Sequence, residues 1–105
     1  MGKLNVQTTK LQDVKIITPA LFGDHRGFFE ETYSDRDFKK AGIDFNFIQD
    51  NQSLSTHAGV LRGLHFQRGK AAQTKLIRVV TGAVLDVIVD LQKGSPTYKQ
   101  WEGYI

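Results

Sequence analysis

The sequence predicts an antiparallel all-β fold of sandwich, jelly-roll or small-barrel type, with one short helix. Three observations point there. Short segments rich in β-branched and aromatic residues recur along the chain, turn residues separate them, and a single stretch carries the caps of a helix. Residues 14–18 (VKIIT) are rich in β-branched residues and stop at Pro19, which cannot donate to a central ladder. Segments 28–33 (FFEETY) and 44–49 (DFNFIQ) are short, aromatic and partly alternating, so that Phe45 and Phe47 share a face. In 59–67 (GVLRGLHFQ), Leu61, His65 and Gln67 point one way, with Gly63 between them, while Val60, Arg62, Leu64 and Phe66 point the other. Residues 75–81 (KLIRVVT) and 83–91 (AVLDVIVDL) are strong strand formers, and Gly82 between them predicts a hairpin. After the KGSP turn, 97–105 begins a further strand.

The helix is predicted just after Ser34, whose hydroxyl can cap the orphan amides of a first turn. Asp35 and Asp37 lie where the helix dipole favours anions, Lys39 and Lys40 where it favours cations, and Gly42 can take the left-handed position that ends the helix. Two turns are too few to persist on propensity, so packing must hold them, with Phe38 as the anchor.

With 105 residues, 40% of them hydrophobic and 24% charged, the chain reads as one small globular domain with no repeat, linker or low-complexity tract. A core of this size is thin, and association would add useful burial. No apolar run approaches the roughly 20 residues that cross a bilayer, and the N-terminus lacks the apolar region of a secretory signal, so a cytoplasmic setting without membrane contact is expected. Zero cysteines remove disulfides and thiolate chemistry. The formal charge of +3 suits a small anion, but the cations are spread along the chain rather than striped among stacking aromatics, which argues against nucleic acid.

Residues 49–67 are the most unusual chemically. Arg62 and His65, with Gly63 between, would set a cation and a titratable imidazole where backbone can approach a ligand closely. From the pattern alone, a satisfied core histidine and a solvated arginine are the plainer reading. Lys75 opens the next strand formers and faces the side of His65 if the two segments pair; otherwise it is a solvated strand-end lysine. A second cluster is FGDHRGFFEET, residues 22–32, where glycines flank a tight turn. Arg26 could pair a phosphate and a phenylalanine could stack on a base; alternatively this is a hairpin whose phenylalanines fill the core, at least one of them in any case. Gln49 and Asn51 can read the edge of a base or simply close turns. A metal is not expected: His65-Phe66-Gln67 supplies only one ligand of an H-x-H pair, no Glu occurs between Glu31 and Glu102, and His25, His57 and His65 share no ligand spacing.

Laid side by side, FGDHRGFFEETY, AGIDFNFIQDNQS, GVLRGLHFQ and AQTKLIRVVTGAVLDVIVDLQKGSPTY resemble the dTDP-4-dehydrorhamnose 3,5-epimerase family, in order and over nearly all of residues 11–105. The resemblance implies a cupin or jelly-roll-type antiparallel β-sandwich, of which residues 1–105 would be the first half to two-thirds of a single domain. It implies His65 as the base and Lys75 as its cationic partner, Arg62 as a ligand of the nucleotide diphosphate, Gln49, Asp50 and Asn51 at the nucleotide base, and Arg26 and Glu31 as substrate contacts. It also implies a dTDP-linked 4-keto-6-deoxy sugar as substrate, a homodimer in which the Arg26–Glu31 segment reaches a partner's site, and no metal or organic cofactor.

The chain reaches its end near the family's mid-domain, so the family's acidic tyrosine, a further histidine and the aspartate that orients the base have no matching positions. An incomplete sandwich leaves open strand edges, and a strand-exchanged or strongly associated oligomer is therefore expected. The alternatives that stay open are a non-catalytic sugar-nucleotide-binding cupin and a related enzyme that epimerises one centre or shifts the ketone.

Overall fold

A computed structural model describes residues 4–105. The described residues divide into two units, 4–44 with 79–105, and 45–78. In the described residues of the first unit the order is β1 (Leu4–Thr8), β2 (Lys15–Pro19), β3 (Leu21–Asp24), β4 (Gly27–Glu30), α1 (Asp35–Lys40), β5 (Asp86–Val89) and β6 (Trp101–Tyr104). These strands form three separate two-stranded antiparallel sheets, β1–β2, β3–β4 and β5–β6.

The helix is built as its sequence demands. Ser34 is extended at the N-cap, and its Oγ accepts the amide of Asp37 at 3.3 Å. Tyr33, just before the cap, meets Phe38 edge-on with ring centroids 4.7 Å apart, a hydrophobic staple that sets the entry angle of the chain. Lys39 reaches back one turn to Asp35 at 3.1 Å. At the far end Gly42, at φ +87°, donates to the Lys39 carbonyl, and Ile43 donates to that of Phe38. This paired closure needs a left-handed residue, which glycine supplies without a steric penalty. It also ties the Ile43 backbone to that of Phe38, and the two side chains are buried to 6% and 1% exposure.

In β1–β2, Leu4 stands opposite Pro19 and Thr8 opposite Lys15. The connecting loop closes on Thr9, whose hydroxyl donates to the Val14 carbonyl at 2.8 Å and accepts the Leu11 amide at 3.2 Å, and Leu11 is buried beneath it. In β3–β4 the pairing runs from Leu21 and Glu30 to Asp24 and Gly27, leaving a two-residue turn at His25-Arg26. The expectation that at least one phenylalanine here fills the core is corrected. Phe22, Phe28 and Phe29 are all exposed, because a two-stranded ribbon alone offers nothing to bury them against.

The hairpin expected around Gly82 is not formed either. Residues 75–81 are irregular, and the second strand former pairs downstream instead, with Asp86 opposite Tyr104 and Val89 opposite Trp101. The turn between these strands decides the matter. Asp90, 6% exposed, accepts from Ser95 Oγ at 2.5 Å, Thr97 Oγ1 at 2.6 Å and the Gln92 amide at 2.9 Å. Its own amide donates to the Gln100 carbonyl, and its carbonyl accepts from Lys99, which extends the ladder into the turn. The Gln12 amide donates to Thr97 Oγ1 at 3.0 Å, tying the β1–β2 loop to the same cluster. These donors hold the Asp90 carboxyl below the ordinary aspartate range.

Residues 45–78 contain one turn of 3-10 helix, Gly69–Ala71, and no strand. The strands expected at 44–49, 59–67 and 75–81 are therefore absent from this structure. Every residue of 45–78 is exposed except Phe47, which is half-buried and meets Phe45 edge-on at 6.5 Å, in keeping with the shared face expected of the pair. Among the described residues no helix is long and apolar enough to cross a membrane.

Candidate functional site

The residues singled out by sequence fall in both units. Within 45–78 lie His65, Lys75, Arg62, Gln49, Asp50 and Asn51, all exposed and none on a strand. Gly63 is at φ +96°, and a β-carbon placed on it would stand 3.1 Å from His65 Nδ1, 3.4 Å from the His65 amide nitrogen and 3.6 Å from Cε1. The space a side chain would need at position 63 is filled by the imidazole itself. Gly63 thus admits a close approach, and the group found there is the imidazole of His65, where the sequence pattern predicts a ligand.

Arg62 Nη2 donates to Ser55 Oγ at 3.2 Å, which ties the guanidinium to the loop seven residues upstream. Gln49 Nε2 donates to Asn51 Oδ1 at 3.4 Å, so these two amide side chains sit together, and the Gln49 carbonyl oxygen and Asn51 amino group take no part in that bond. Ser55 was not among the sequence candidates. A lone serine in a polar loop carries no signal of the arginine it will hold.

In the first unit, Arg26 occupies the β3–β4 turn and Glu31 follows β4 half-buried. Arg26 does not stand free. Its backbone amide donates to Asp24 Oδ1 at 2.8 Å, and its Nη2 donates to Asp24 Oδ2 at 2.6 Å. The guanidinium and the amide hold the Asp24 carboxyl below its usual range, and the carboxylate in turn raises the Arg26 pKa. Around this pair lies an open cavity of about 250 Å³ lined by Phe22, Phe28 and Phe29. Among the described residues no group of three metal-ligating side chains converges.

Antiparallel hairpins and one capped α-helix among the described residues make this an all-β protein, and its likeness to the solved structures described below makes it one of the cupin type. The comparisons make the assignment specific. The family model for dTDP-4-dehydrorhamnose 3,5-epimerase matches residues 8–105. The Shigella flexneri enzyme of that name is 50% identical over 101 residues, covering 95% of this chain and 55% of its own length. The Salmonella typhimurium enzyme is 52% identical over 96 residues, covering 90% of this chain and 52% of its own.

Among solved structures, dTDP-4-dehydrorhamnose 3,5-epimerase from Bacillus anthracis with TDP and PPi bound superposes with a TM-score of 0.92 at 53% identity, over 97% of this chain and 58% of that one. The Elizabethkingia anophelis enzyme gives 0.87 at 44% identity, over 96% and 55%. The chain belongs to the dTDP-4-dehydrorhamnose 3,5-epimerase family. It spans about half the length of the curated relatives it matches.

Proposed function

We propose that this chain binds a dTDP-linked 4-keto-6-deoxy sugar and serves its epimerisation at C3 and C5, with His65 as the base and Lys75 as the cation that stabilises the enolate. The observation that carries this reading is the family match, which runs unbroken through both residues. The chemistry accounts for the residue types. A ketone at C4 acidifies the protons at C3 and C5, and a neutral imidazole can remove each of them if the negative charge developing on the ketone oxygen is met by an ammonium group. Return of a proton to the opposite ring face inverts each centre, and that proton must come from a group other than His65. The step needs an acid–base pair and a cation, and so calls for no resident cofactor or metal.

Arg62 is assigned to the diphosphate, where a guanidinium matches phosphate geometry. Gln49, Asp50 and Asn51 are assigned to the nucleotide base, and Arg26 and Glu31 to contacts with the substrate in a partner subunit's site. The TDP in the Bacillus anthracis relative supports a thymidine nucleotide as the shared element. The 105 residues are read as part of one cupin-type domain acting in the cytoplasm, with the exposed strand formers of 45–78 paired in a homodimer or a strand-exchanged oligomer. Exposure of Leu61 at 91% and Ile48 at 95% supports that pairing, since monomers rarely leave so many large apolar side chains open.

Solvent deuterium exchange into dTDP-4-dehydro-6-deoxyglucose tests the proposal. Label is expected at both C3 and C5, at C3 or C5 alone if one centre is handled, and at neither if the chain only binds. No exchange alongside unimpaired binding would refute the catalytic assignment.

A further inference from the structure

We propose that Asp24 is a positioning residue for Arg26, holding one edge of the guanidinium so that the other is offered to a phosphate oxygen of a sugar nucleotide. The inference rests on the assignment of Arg26 to substrate. Its basis is the division of donors in the β3–β4 turn. Asp24 takes the Nε edge, with Arg26 Nε donating at 3.1 Å to Oδ2 and Nη2 donating to the same oxygen at 2.6 Å. Arg26 Nη1 has no hydrogen-bond partner among the described residues, so the Nη1–Nη2 end is the pair of donors left for an anion. The same carboxylate fixes the backbone at Arg26 through its amide, which locks the base of the side chain as well as its tip.

An arginine so placed is 79% exposed, and without the carboxylate nothing else in its turn would restrict its rotamers. Ordering it in advance removes entropy that ligand binding would otherwise lose. Phe22, Phe28 and Phe29 around the cavity add flat apolar surfaces beside the charge, which suits a ligand with a planar ring and a phosphate. Opposed to this is the negative charge of Asp24 itself, which repels an anion through solvent. The geometry favours positioning, because Nη1 and the second proton of Nη2 lie on the adjacent side of the guanidinium, turned away from the carboxylate that holds Nε and Nη2.

Asp24→Asn separates the two effects, since the amide oxygen can still accept the Arg26 backbone amide while the ion pair is lost. Two readouts are combined on the full chain: the Arg26 Nε–H resonance without ligand, and calorimetric titration with dTDP. Expected are an ordered Nε–H in the parent that becomes motionally averaged in Asp24→Asn, and dTDP affinity lower by roughly threefold. In an Arg26→Ala background, Asp24→Asn should have no further effect on affinity. An Nε–H equally ordered in the variant overturns the proposal, as does tighter dTDP binding or a loss of the same size with Arg26 absent. If order depends on Asp24 but Arg26→Ala leaves dTDP affinity unchanged, the assignment of Arg26 to substrate fails instead, and the ligand half of this proposal fails with it.

Discussion

The helix segment 33–43 and the loop segment 59–67 are of similar length and comparable apolar content, yet one is closed on itself and the other is open. In the first, every element of stability is local: a serine cap, a ring pair across it, an ion pair one turn on and a glycine closure that ties Ile43 back to the Phe38 carbonyl, with both side chains buried. In the second, Val60, Leu61, Leu64 and Phe66 are good strand formers, but a strand exists only as part of a ladder, and no ladder partner lies among the described residues. Helical hydrogen bonds are satisfied within the segment, whereas strand hydrogen bonds must come from elsewhere in the sequence or from another chain. The residue proposed to remove protons, His65, lies in the open segment.

Four measurements break or sharpen that contrast. The largest effect is expected from His65→Ala, which should slow deuterium exchange at C3 and C5 by about 10²–10⁴-fold without altering the far-UV spectrum, because the side chain is exposed and supports no packing. Exchange at the parent rate would show that another group is the base. Next, Phe38→Ala should cost about 3–5 kcal/mol in urea unfolding, since it removes the most deeply buried ring of the first unit. The amide exchange of 45–78 should stay as in the parent; if it rises with the loss of the helix, the two units are not independent in stability.

Gly63→Ala is expected to slow proton exchange on the order of tenfold, because an L side chain is strained at φ +96° and its β-carbon would press on the imidazole. A parent-like rate would show that the contact of His65 with Gly63 does not set the position of the base. The smallest effect concerns Asp90. Its folded-state pKa is depressed below 3.8, first by Ser95 and then by Thr97 and the Gln92 amide, so its contribution is present above that value. It is lost as the pH falls through the lower, folded-state value. The β5–β6 turn should therefore loosen only in strong acid, and its Lys99 and Gln100 amides are the ones to follow by hydrogen exchange. Loosening that begins near neutral pH would assign the turn's stability to some other group.

Much of the first unit was legible in the sequence, because its signals are short-range. Ser34, Gly42 and Phe38 each announce a cap, a closure and an anchor by type and spacing. The FGDHRG turn did so too, although its aromatic rings stayed outside. The pairing of residues 83–91 was misread, since Gly82 is a plausible turn and the real determinant is a buried carboxylate gathering two hydroxyls and an amide after the strand. Asp24 beside Arg26 and Ser55 beside Arg62 escaped notice for a related reason: a hydrogen bond to a side chain depends on rotamers that residue type does not specify.

For the candidate site, an imidazole, an ammonium and several side-chain amides were legible in 49–75 as candidates by residue type, and the family to which those words belong is borne out. By itself the sequence determined the local devices and the family, since both reside in the identity and order of neighbouring residues. Only tertiary structure decided which strand pairs with which, which phenylalanines remain in water, and that His65 lies against Gly63. Those outcomes depend on contacts between distant segments, whose formation is governed by what surface is there to be covered.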